Sequence, residues 1–115
     1  MTTHIDLSEL TKMSDGDEEF IKEVIEILVL EVPENLKNIE LYVLNEDITS
    51  LKKLIHKMKS SFMLVGMKAL SPIAENIGKS TSTETIIGLV PQYVEICKKS
   101  LAELLVIQNN LNRDM

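Results

Sequence analysis

Among the side chains of this sequence that could take part in a reaction, His56 has the most distinctive surroundings. Residues 48–74 hold five lysines (Lys52, Lys53, Lys57, Lys59 and Lys68) and not one Asp or Glu. An imidazole there has cations for neighbours and no carboxylate on its own segment to orient it. The place suits an anion, and a reading as an enzyme with His56 as general base lacks a second catalytic group. The other candidates carry less. His4 stands near the terminus, away from any cysteine pair. Cys97 is the one cysteine, so it cannot close an internal disulfide, belongs to no zinc-binding spacing, and falls at an apolar position of a helical pattern. No GxxxxGK[ST] or GxGxxG loop is present to cradle nucleotide phosphates, and no metal ligand set is expected.

The net charge of −6 over 115 residues conceals a segregation. Residues 1–47 carry 13 acids against 3 lysines, and residues 75–115 carry 5 acids against 4 bases, with the acid-free segment between them. An acidic chain does not bind nucleic acid through its whole surface, because phosphate contacts need a basic face. The lysine-bearing segment is then either a solvated helix face or a local site for an anion. No apolar run is long enough to cross a bilayer, no basic-then-apolar leader opens the chain, and the lone cysteine suits a reducing compartment; the expectation is a cytoplasmic protein. The initiating methionine fits a free-standing chain.

The elements that must position these residues follow from composition and period. With 44% apolar residues, 3% aromatics, four glycines and three prolines, the chain favours helices over a sheet sandwich and is sized for a single domain over 1–115. A short helix is expected over Asp6–Met13, capped by Asp6 or Ser8. A long helix over Asp17–Asn45 carries Phe20, Val24, Ile27 and Leu28, then Leu36, Ile39 and Val43, with a kink or brief break near Val29–Pro33. Ile48–Val65 has the clearest stripe: Leu51, Ile55, Met58, Phe62 and Val65. Gly66 is its expected left-handed stop. A helix over Met67–Lys79 tolerates Pro72 in its first turns, and a final helix over Glu84–Asn110 carries Ile87, Val90, Val94, Cys97, Leu101, Leu104 and Leu105, with a possible kink at Pro91. Such stripes bury only against one another, which predicts an all-α, antiparallel up-and-down four-helix bundle with a short extra N-terminal helix. At 100° per residue His56 points about 140° away from its helix's stripe, so it should face water, with Lys59 one turn on and Lys52 and Met63 flanking the same face.

The string His56-Lys57-Met58-Lys59-Ser60-Ser61-Phe62-Met63-Leu64-Val65-Gly66 resembles the signature of histidine-containing phosphotransfer (HPt) domains: His, Lys at +3, small residues after it and Gly at +10. Glu19-Phe20-Ile21 after an Asp-rich start, Pro33, and Asp47 before the histidine helix extend the resemblance over about residues 5–108. It implies a phosphorelay intermediate that accepts a phosphoryl group on His56 from an aspartyl phosphate of a receiver domain and passes it to another, with Lys59 as electrostatic support. Ser60, Met63, Lys52 and Lys57 are the implied docking surface, to which Met13 or Phe20 could add. The implied partners are response-regulator receiver domains and a hybrid sensor histidine kinase. No cofactor would be bound by this chain, Mg²⁺ would be supplied by the receiver, and the protein would be a monomer and not an enzyme in its own right. Two positions depart from the pattern. Ser60 stands where glycine is common, which keeps alive an alternative in which the bundle docks receivers without passing phosphate. A polar side chain that some members place on the following helix would fall at Gly78, leaving Lys79 as the nearest candidate for that support.

Overall fold

The computed structural model describes residues 5–113, all of whose regular structure is helical; His4 lies outside them. Five helices follow in order: α1 Ser8–Met13, α2 Glu18–Leu44, α3 Ile48–Leu64, α4 Leu70–Lys79 and α5 Thr83–Arg113. The chain measures 47 × 22 × 22 Å. The long helices are joined by short turns and each runs against the next. α2 packs beside α3 and α5, and α4 completes the square between α3 and α5, the up-and-down bundle the stripes require. α2 and α5 outrun the shorter pair, and α1 lies near the end they share, burying Leu10.

Local signals set the helix starts. Asp17 Oδ1 accepts from the backbone N–H groups of Glu19 (3.1 Å) and Phe20 (3.3 Å), and Asp47 Oδ1 accepts from Ser50 N (3.2 Å). Both are carboxylates on orphan donors at a positive dipole end. Ahead of α1, Asp6 Oδ1 accepts from Ser8 Oγ (2.6 Å) and Ser8 N (2.9 Å), bonds that hold its carboxyl below the usual range. Helix α1 itself begins at Ser8, two residues later than the expected Asp6.

Other boundaries and faces also depart from the sequence reading. Helix α2 runs through Pro33 without a break, and α5 continues through Pro91 as the one long helix expected there. Both prolines are exposed, so water can serve the carbonyl that each leaves without a helical donor. Helix α4 starts at Leu70 rather than Met67, because Gly66 turns the chain at φ +70° and Met67 is drawn into the core before the helix begins. Pro72 then occupies the first turn, where no N–H is needed. On α2 the buried set is Ile21, Ile25, Leu28, Val32 and Ile39, while Phe20 and Ile27 face solvent. On α5 the buried line runs through Ile86, Val90, Tyr93, Cys97, Ser100 and Leu104. Ile87, Val94 and Leu101 are half-buried beside it, and Leu105 is exposed.

The core is aliphatic with a thin polar thread on α5. Tyr93 donates its hydroxyl to Met58 Sδ at 3.8 Å, and burial pushes the phenol well above its ordinary range. Burial also pushes the Cys97 thiol up to about 12, as suits a small core residue rather than a reactive thiol.

Gly66 has a steric reason beyond its turn. The N-terminal segment crosses the end of α3 there, with Asp6 N donating to Val65 O at 2.8 Å. A Cβ on Gly66 would collide with the Asp6 carbonyl oxygen and stand 2.7 Å from Asp6 Cβ. Ile5 N also donates to Glu103 Oε1 at 3.3 Å, so the segment is pinned to both α3 and α5.

Candidate functional site

The five stripe positions of α3 all face inward, and this fixes the direction of everything else on the helix. Leu51, Ile55, Met58, Phe62 and Val65 are all buried, and His56 is exposed. The imidazole borders a shallow groove of about 160 Å³ between α3 and α4, lined among others by Lys52, His56 and Lys59 on one side and Glu75, Gly78 and Lys79 on the other. Lys59 is half-buried and reaches a second hollow further up the same seam, where it meets Met63, Leu70 and Ser71.

The lysines on α3 divide by role. Lys52 does not stand free: its Nζ donates to Ser80 O at 2.7 Å and Gly78 O at 3.4 Å. It therefore satisfies carbonyls that α4 leaves without donors at its C-terminus, where the dipole favours a cation. Although it lines the groove, its charge is already committed to the backbone of α4. No comparable partner holds Lys59 among the described residues, so its ammonium is available to an anion arriving at His56. Lys57 is exposed and lies outside the groove lining.

Ser60 and Met63 are both exposed. Met63 Sδ accepts from Ser71 Oγ at 3.6 Å, which ties the side chain to the top of α4. Ser60 is not among the groove residues; it projects almost straight outward, opposite the buried stripe. Met13 and Phe20 are exposed apolar residues as well, on α1 and at the start of α2.

Two features escaped the sequence reading. Glu75 lies one residue beyond the acid-free stretch, yet α4 folds back along α3 and brings it into the same groove as His56 and Lys59. The commitment of Lys52 to α4 was equally invisible, since its acceptors lie 26 and 28 residues downstream. Laying an antiparallel α4 beside α3 from the turn at Gly66 was the available signal for both. Gly78 leaves its wall open, with nothing within 4 Å of where a Cβ would sit. Lys79 lines the same wall. No group of three or more His, Cys, Asp or Glu side chains poised to hold a metal occurs among the described residues, and none of their helices is long and apolar enough to cross a membrane.

The structure thus sets an exposed histidine midway along a bundle helix, an ammonium one turn on that has no partner among the described residues, and an open seam beside both. The family model of the Hpt domain matches residues 23–105, and the chain belongs to that family, whose members are phosphocarrier modules of two-component phosphorelays. Comparison with curated proteins and with solved structures returns no match.

Proposed function

We propose that His56 takes a phosphoryl group from the aspartyl phosphate of one receiver domain and delivers it to the aspartate of another. The observation that carries this reading is the exposed imidazole at the lip of a groove that also holds the uncommitted ammonium of Lys59. The lone pair of an imidazole nitrogen, expected to be Nε2, attacks phosphorus. The bond to the aspartyl oxygen breaks, and the electron pair returns to the receiver's carboxylate. The transition state is loose and spreads charge over three equatorial oxygens, so positioning and cations count for more than covalent assistance. Lys59 supplies one cation on this side. Mg²⁺ and the acidic residues that hold it are assigned to the receiver: α3 carries no carboxylate, and Glu75 is the one acid lining the groove beside His56, too few to hold the ion.

An acidic receiver pocket meets a lysine-bearing helix with complementary charge, which raises the encounter rate and helps exclude other partners. A hybrid sensor histidine kinase is the expected source of one such receiver, in a compartment expected to be the cytoplasm. Incubating the chain with a phosphorylated receiver and Mg²⁺ tests the proposal. The expected result is an acid-labile label on the wild-type chain and none on His56→Gln; a label that survives in that variant overturns it. Ser60, exposed where a glycine would give a partner more room, favours the second reading of a bundle that docks receivers without transfer, and binding without label would select it.

A further inference from the structure

The outer face of α2 takes part in neither the core nor the groove beside His56. At 100° per residue, Ile27, Leu30, Leu41 and Leu44 project within about 50° of the direction opposite the buried set of that helix. They are 52%, 70%, 53% and 74% exposed. Between Ile27 and Leu44 the charged residues on this face are Glu34 and Lys37, with Glu23 and Glu26 further towards the helix start; Glu34 and Lys37 are exposed, and neither makes an ion pair among the described residues. Four large aliphatic side chains in water along about 26 Å of one helix form the kind of patch that soluble proteins cover.

From Ile27 to Leu44 the order of residue types along this face is its own reverse, with charge inverted. Leu30 and Leu41 are equidistant from the midpoint between Asn35 and Leu36. So are Ile27 and Leu44, and so are Glu34 and Lys37. We infer that this face binds a second copy of the chain, α2 against α2 and antiparallel, about a two-fold axis passing between Asn35 and Leu36. In that register Leu30 meets Leu41 of the partner subunit, Ile27 meets Leu44 of the partner subunit, and Glu34 faces Lys37 of the partner subunit. Symmetry makes every contact twice, as an isologous interface requires. A parallel pairing would set Glu34 against its own copy and Lys37 against its own, so the charges select the antiparallel one. An unrelated apolar helix would satisfy the leucines but has no reason to match the inverted charges.

The surface is wider than one helix. Lys37 and Leu44 also border an open apolar groove of about 610 Å³ between α2 and α5, floored by Leu36, Val43, Val90 and Val94. The groove beside His56 is built from α3 and α4, so the pairing leaves the histidine accessible in both copies.

Sedimentation equilibrium of the full chain, from micromolar to submillimolar concentration, tests the inference. The wild-type chain is expected to show a monomer–dimer equilibrium, and Leu30→Glu/Leu41→Glu to sediment as a monomer with unchanged helical circular dichroism. Glu34→Lys alone and Lys37→Glu alone should each weaken the dimer by about tenfold, through two repelling pairs per interface, and the double exchange should recover most of that loss. A wild-type monomer throughout the range overturns the inference, as does a dimer that persists in the Leu30/Leu41 variant. A double exchange no tighter than the single changes overturns the antiparallel register.

Discussion

Lys52 and Lys59 lie seven residues apart on α3 and line the same groove, yet they should fail in opposite ways. Replacing Lys52 by Met keeps most of the aliphatic stem and removes the ammonium that holds Ser80 O and Gly78 O. A hydrogen bond to a charged group contributes about 1.5–3 kcal/mol, and a cation at a helix C-terminus about 0.3–1 kcal/mol. Lys52 is half-buried and water can serve the released carbonyls, so the net loss should be about 1–2 kcal/mol. For a chain of this size that lowers Tm by roughly 4–8 °C, while transfer to His56 at a temperature where the fold persists should stay within about twofold. Lys59→Met should do the reverse. Its charge is uncommitted, so Tm should move by less than about 2 °C, but losing about 1.4 kcal/mol of transition-state stabilisation slows labelling by about tenfold. Thermal denaturation by circular dichroism and single-turnover labelling from a phosphorylated receiver measure the two quantities on the same variants. Equal Tm losses in both variants, or a tenfold slowing by Lys52→Met with the fold intact, would refute the division of labour drawn from the Lys52 contacts.

Gly66→Ala should destabilise the chain by about 1–3 kcal/mol, since it strains a left-handed backbone and drives a methyl group into Asp6; chemical denaturation measures it, and wild-type stability would refute the steric account. Gly78→Gln should be accommodated, because its Cβ enters open space, and should raise stability by about 0.5 kcal/mol through helix propensity, with labelling of His56 retained. The raised Cys97 thiol and Tyr93 phenol keep their protons in the folded chain longer than in the unfolded one. Stability should therefore be unaffected by these groups below about pH 8 and fall as pH rises from about 9 towards 12, by up to about 1.4 kcal/mol per pH unit for each group ionised only when unfolded. Urea midpoints at pH 8 and pH 10 compare the two regimes, and Cys97→Ala should flatten part of the slope. In the native chain Cys97 should resist alkylation at pH 8 and react once urea unfolds it.

The all-helical bundle and the histidine face were legible because α3 has one buried stripe and a mostly polar remainder: Leu51 to Val65 leave a single direction for the core, which forces His56 outward. Helix α2 was misread for the opposite reason. Its outer leucines and isoleucine compete with the inner set, and local periodicity cannot say which of two apolar faces has a neighbour; a series through Phe20 and Ile27 is as regular as the one through Ile21 and Ile25 that the bundle buries. On α5 the interior line turned by one residue, because Tyr93 and Ser100, polar enough to be passed over, occupy buried positions. At the site, single-helix reasoning placed His56 and Lys59 together. Glu75, Gly78 and the acceptors of Lys52 enter only through the packing of α4 on α3, and no spacing within one helix carries that information.

The crossing at Gly66 also constrains the order in which the molecule can assemble. Asp6 needs the carbonyl of Val65 and the notch beside it, and the amide of Ile5 needs a carboxylate 98 positions away. The segment ahead of α1 thus has no complete seat until α3 and α5 are both in place. Until then Ile5 and Leu10, both buried in the folded chain, remain wet.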